Sequence, residues 1–129
     1  MPRRKNGEQG LTPLELEIMS VLWETGPANV QTVQAHFKSR ELAYTTVQTM
    51  LNVLHRKGKV KRKLKDRAFI YQAVLSRQTA VTQAVGTIVD RFFGGSADSL
   101  VLSLLETRRL TPEKLAKIQA LLEEKHGND

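Results

Sequence analysis

Apolar positions recur at helical spacing through most of the chain, and the breaks between them predict six helices and one hairpin. Between Leu11 and Trp23, residues Leu14, Ile18, Val21 and Leu22 line one helical face, and Leu16, Met19 and Trp23 line the opposite one. The pattern predicts a helix to about Glu24 that is buried on two sides. Thr12-Pro13-Leu14-Glu15 marks its start, with Thr12 as N-cap, Pro13 at the first helical position and Glu15 placed to close a capping box. Gly26-Pro27 ends it. Asn29 then caps a short second helix to about Phe37, with Val30, Val33 and Phe37 facing inward.

After a polar connector, Lys38 to Leu42, the segment AYTTVQTMLNVLHRKGKVKRKLKDRAFIYQAV carries the most information. On a helix Val47, Met50, Leu51 and Leu54 share one arc, while Thr45, Gln48, Thr49, Asn52 and Arg56 share the opposite arc. Gly58 stands where a C-cap glycine belongs. In Val60–Leu64 and Phe69–Val74, basic or polar residues alternate with apolar ones around Lys65-Asp66-Arg67, the pattern of a β-hairpin. Three helices followed by a hairpin, over residues 11–75, is the order of a winged helix-turn-helix domain.

Residues 76–129 give only helical signals. Val81, Val85, Ile88, Val89 and Phe92 make one stripe, Gly94-Gly95 breaks it, and Ser96 caps a second helix through Glu106. Thr111-Pro112-Glu113-Lys114 starts a third, with Leu115, Ile118, Leu121 and Leu122 on one side. Three helices in so short a segment gain little from a core of their own, so their apolar stripes are expected to be buried against a second copy. Val85, Ile88, Phe92, Leu100, Leu104, Leu115, Ile118 and Leu122 are the expected dimerisation residues. The fold class is mainly α with a small β-hairpin: an N-terminal winged helix-turn-helix plus a C-terminal three-helix dimerisation domain. Residues 1–10, polar and carrying Arg3, Arg4 and Lys5, read as a flexible basic arm.

Charge adds a partner to this picture. The chain of 129 residues has a net charge of +7. Residues 1–75 hold 13 Lys/Arg against 6 Asp/Glu, and residues 76–129 hold 7 of each, so the whole excess lies in the first part. Such asymmetry points to a polyanion-binding module joined to a neutral one. The helix from Ala43 to Lys57 has a face of Thr45, Thr46, Gln48, Thr49 and Asn52, groups that can hydrogen-bond to base edges in a major groove. There is no Glu or Asp between Ala43 and Lys65, unlike an ordinary solvated helix face. The run Arg56–Arg67 holds eight basic residues and one acid, whose mutual repulsion disfavours the hairpin unless an anion compensates it. Tyr44, Arg56, Lys57, Lys61, Lys63, Lys65 and Arg67 are therefore expected on the phosphate backbone, giving affinity without sequence information. The rival reading is a winged-helix protein-interaction module without DNA readout.

Other classes of function lack residues to carry them. With no cysteine there is no disulfide framework, thiol catalysis or zinc ribbon. His36, His55 and His126 lie far apart and outside metal-ligand spacing, so neither a metal nor a cofactor is expected. No local motif positions a nucleophile, and no enzyme activity or catalytic residue is expected. The apolar runs, Leu100–Leu105 among them, are too short to span a membrane, so the expected location is cytoplasmic.

Four stretches, LTPLELEIMSVLW (Leu11 to Trp23), AYTTVQTML (Ala43 to Leu51), Lys57-Gly58 and Phe69-Ile70-Tyr71, together resemble the penicillinase repressor family (BlaI/MecI/CopY). The resemblance extends to about Leu122, with Ser99-Leu100-Val101-Leu102 matching in the second part. It implies a dimeric transcriptional repressor, tied to antibiotic resistance, that binds double-stranded operator DNA as inverted repeats built around TACA and TGTA. The helix matching Ala43–Lys57 would read the major groove, and the hairpin matching Val60–Val74 would be the wing. In the β-lactam-responsive members a membrane sensor triggers proteolysis of the dimerisation domain at an Asn-Phe bond. The matching position here is Ser103-Leu104, the candidate cleavage point for a sensor-linked protease. The copper-responsive branch uses paired C-terminal cysteines, which this chain lacks.

Overall fold

The structure, a computed structural model, describes residues 10–37 and 41–127. The expected basic arm lies outside the described residues except for Gly10, as do Lys38, Ser39 and Arg40 of the connector. Six helices and two strands follow in the order α1 (Pro13–Thr25), α2 (Val30–Ala35), α3 (Tyr44–Arg56), β1 (Val60–Lys65), β2 (Ala68–Ala73), α4 (Arg77–Phe92), α5 (Ala97–Glu106) and α6 (Pro112–Gly127). The chain divides into two compact units, Met1–Ala84 and Val85–Asp129, with the division inside α4.

Local chemistry sets the bounds of the first unit. Thr12 accepts from the Glu15 amide at 3.2 Å, and Glu15 Oε1 accepts from the Thr12 amide at 2.9 Å, a complete capping box at the head of α1. Asn29 Oδ1 caps α2 through the Thr32 amide at 2.8 Å. Among the described residues the buried apolar side chains all lie between Ile18 and Tyr71. Ile18, Met19 and Leu22 of α1 meet Val33 of α2, Val47, Leu51 and Leu54 of α3, and Val60 and Tyr71 of the hairpin in one cluster.

The two-sided burial expected of α1 fails at Leu16, which is 46% exposed. On that second face Met19 is nevertheless fully buried, beside Ile18 and Leu22 of the first face in the core cluster. Trp23 is half-buried, and its indole N–H donates to the Leu75 carbonyl at 2.8 Å. The Arg77 guanidinium stands 5.7 Å from its ring centroid.

The second unit is helical throughout. Ser96 accepts from the Ser99 amide at the head of α5, and Thr111 accepts from the Lys114 amide at the head of α6. Its apolar side chains stay open: Val85, Ile88, Phe92, Ile118, Leu121 and Leu122 are exposed, and Leu100, Leu104 and Leu115 are half-buried. Among the described residues no helix is long and apolar enough to cross a membrane.

Candidate nucleic-acid interface

The core fixes which way α3 faces. Val47, Leu51 and Leu54 are wholly buried, so the arc across the helix must face out. Tyr44, Thr45, Gln48, Thr49 and Arg56 are exposed there, while Thr46 and Asn52 are half-buried. The helix ends in a Schellman motif: the Lys59 amide donates to the Leu54 carbonyl at 2.9 Å and the Gly58 amide to His55 at 3.0 Å. Gly58 has φ +76°, a left-handed conformation that glycine adopts without strain. The Lys59 carbonyl then accepts from the Val74 and Leu75 amides, closing the base of the hairpin against the end of α3.

β1 and β2 pair antiparallel, Val60 opposite Ala73 through to Lys65 opposite Ala68. The two-residue loop between them is Asp66-Arg67, with φ +50° and +70°. Positive φ at both central residues is what a type I′ hairpin requires. A third backbone pairing, Ala28 with Tyr71, ties the hairpin to the segment before α2.

Strand alternation divides the hairpin's basic residues between two faces. Arg62 shares its face with its partner Tyr71, which is buried against the core, and with Phe69. Lys61, Lys63 and Lys65 occupy the opposite face. The structure thus puts the three expected strand lysines on one face, and the strand cation bonded to α3 is one that the sequence pattern left unassigned. Arg62 Nη1 donates to Asn52 Oδ1 at 2.8 Å, and its guanidinium lies 4.2 Å from the Phe69 ring centroid. The Tyr71 hydroxyl donates to the same Asn52 oxygen at 2.9 Å. Phe69 and Tyr71 meet edge to face at 6.2 Å. Between α3 and the wing an open notch of about 370 Å³ is lined by Thr49, Asn52, His55, Arg56 and Arg62.

Lys57, expected among the phosphate contacts, has a partner within its own chain. Its Nζ lies 2.7 Å from Glu15 Oε2 and its side chain is 24% exposed, so its ammonium is engaged by the helix-capping carboxylate. The pair stands 42 residues apart in sequence, so the basic run that Lys57 belongs to carries no sign of it. Burial pushes the Glu15 carboxyl up, but the Lys57 hydrogen bond, the Thr12 backbone bond and the Lys57 charge together hold it below its ordinary value.

The result is a surface of hydrogen-bonding side chains on α3 bordered by Arg56 and Arg62, with Arg67 at the tip of the hairpin. Major-groove edges take such donors and acceptors, and phosphates take such cations. Among the described residues no three His, Asp or Glu side chains are grouped to hold a metal ion. Ser103 and Leu104 lie in α5 of the second unit, both half-buried.

The penicillinase repressor family matches residues 11–124. The penicillinase repressor of Bacillus licheniformis is 29% identical over 119 residues, covering 92% of this chain and 92% of the relative. The methicillin resistance regulatory protein MecI of Mammaliicoccus sciuri is 21% identical over 116 residues, covering 89% and 94%. Among solved structures, the complex of hsRosR-S4 is similar in fold, with TM-score 0.55 and 16% identity over 96% of each chain. The capped α1, the polar-faced α3 and the hairpin all lie within the matched span, and the chain belongs to the penicillinase repressor family, whose members are transcriptional repressors and not enzymes.

Proposed function

We propose that this chain represses transcription as a homodimer bound to inverted-repeat operators, each copy placing α3 in a major groove. The observation that carries this reading is the outward face of α3, where Thr45, Gln48 and Thr49 stand exposed in a stretch, Tyr44 to Lys65, without a single acid. Thr45, Thr46, Gln48 and Thr49 then read bases, and Tyr44 and Arg56 flank them on the backbone. Arg62 and Arg67 carry the wing's contact beside α3. Lys61, Lys63 and Lys65, on the other hairpin face, serve phosphates further along the duplex.

The second unit supports the dimer. Phe92 is 78% and Leu121 64% exposed, an apolar surface that a small helical unit does not leave in water. A second copy of the same helices is the self-complementary cover, and linking two reading heads raises affinity for paired half-sites through effective concentration. Release follows when a sensor-linked protease cuts α5 at Ser103-Leu104 and the second unit no longer holds the two copies together.

The test is selection of bound sequences from random duplexes by the full chain, followed by binding at rising salt. The reading expects an inverted repeat and a steep fall of affinity with salt from counterion release. Absence of selection with a flat salt dependence would instead identify a docking module for a protein.

A further inference from the structure

The amide of Asn52 lies between the recognition helix and the wing, and its partners decide what it can still say to a base. Arg62 can only donate, so the Asn52 atom 2.8 Å from its Nη1 is the carbonyl oxygen Oδ1 and not the nitrogen. The Tyr71 hydroxyl meets the same oxygen at 2.9 Å and must donate as well. An amide oxygen has two lone pairs, and both are now in use. Tyr71 is fixed by burial at 2% exposure in the core, and Arg62, on the exposed strand β1, is stacked on Phe69 at 4.2 Å. What Asn52 has left is Nδ2, which carries donors alone, and the side chain lines the notch beside Thr49 and Arg56.

We propose that Tyr71 and Arg62 are specificity-positioning residues, which hold Asn52 by its oxygen and restrict it to donating a hydrogen bond into the groove. This rests on the reading of α3 as the groove helix. A free asparagine can bind adenine with two hydrogen bonds, accepting from N6 and donating to N7. A clamped one cannot accept. It takes guanine, adenine or thymine, each of which presents a major-groove acceptor, and it rejects cytosine, whose edge presents the N4 donor.

The experiment selects duplexes from a random library with the full chain and with Asn52→Ala, which identifies the base position that loses its preference. Affinities for duplexes carrying each of the four bases at that position are then measured for the wild type, Tyr71→Phe, Arg62→Leu and the double variant. Expected is a wild type that disfavours cytosine by about tenfold while ranking the other three bases close together, and a double variant that favours adenine by about tenfold. Arg62→Leu keeps an apolar contact on Phe69 and lies on an exposed strand, so it provides the result if Tyr71→Phe does not fold. A wild type that already prefers adenine overturns the clamp, as does an unchanged base ranking in the variants. If Asn52→Ala alters no position while others remain selected, the clamp is overturned and the groove reading of α3 stands. If no position is selected by the wild type, the groove reading itself has failed.

Discussion

Glu15 at the head of α1 holds Lys57 at the end of α3, Oε2 to Nζ at 2.7 Å, while its other oxygen accepts from the Thr12 amide at 2.9 Å. One carboxylate thereby closes the first helix and fastens the C-cap residue of α3 to it. Glu15 is 1% exposed, so loss of its partner would strand a buried charge.

This pair predicts an acid limb of stability. The folded-state carboxyl titrates below its ordinary value of 4.5. Its contribution is therefore complete above that value and is lost as pH falls through the lower folded-state pKa. Glu15→Gln should cost about 2 kcal/mol at pH 7, the scale of a hydrogen bond to a charged group. Urea melts of the two proteins should converge as the pH falls below the carboxylate range. A stability difference that does not change with pH would show that the charge on Glu15 is immaterial.

The same pair marks where the sequence stops being legible. The capping box was readable because Thr12 and Glu15 are three residues apart, and the hairpin because alternation is local. The Glu15–Lys57 link is tertiary and has no local pattern. Arg62 was visible only as one of eight cations between Arg56 and Arg67. Its role follows from pairing with Tyr71, which turns it toward Asn52 and leaves Lys61, Lys63 and Lys65 on the other face. Helical spacing placed Leu16 on a second buried side of α1, but spacing does not say how many neighbours a helix has, and Leu16 is exposed.

Gln48 and Thr49 are exposed on α3 and have no packing to lose. Gln48→Ala or Thr49→Ala should weaken binding to the selected sequence by about 1–3 kcal/mol, leave random DNA nearly unaffected, and leave the melting temperature in place. Equal losses on both DNAs, in competition binding at one salt concentration, would move these residues off the bases.

Arg67 holds φ +70° without being glycine. The left-handed conformation costs a side-chain-bearing residue about 1 kcal/mol, which Arg67→Gly should return as stability. If the hairpin tip touches a phosphate, the same change should flatten the slope of log affinity against log salt by about one unit. The variant would then be more stable and bind DNA less tightly. Higher stability with an unchanged slope would remove Arg67 from the interface.

Phe92 is the most exposed large apolar residue among those described. If a second copy covers it, Phe92→Glu buries a carboxylate in that contact and should shift the chain to monomer at micromolar concentration, as read by sedimentation velocity. Far-UV circular dichroism should change little, since Phe92 is 78% exposed in its own chain. A variant that still sediments as a dimer would place the contact elsewhere.

The proposed cleavage bond lies one turn from the end of α5, and the hydrogen bonds around it set how readily it opens. The Ser103 carbonyl accepts from the Thr107 amide at 3.0 Å and from the Thr107 hydroxyl at 2.8 Å, and the Leu104 carbonyl accepts from the Leu110 amide at 3.0 Å. A protease needs extended backbone, so cutting between Ser103 and Leu104 requires this terminal turn to unravel, an opening smaller than global unfolding. Thr107→Val removes the hydroxyl bond while keeping the side-chain shape. At about 1 kcal/mol for that bond, it should raise the cutting rate roughly fivefold. Operator DNA that binds the intact dimer should slow the same cut, because a ligand of the closed state suppresses opening by mass action. Limited digestion with a protease that cuts before leucine, with fragments identified by mass, gives both rates. If Thr107→Val is cut no faster, opening of this turn does not limit cleavage; if DNA leaves the rate unchanged, cleavage of α5 is not coupled to operator release.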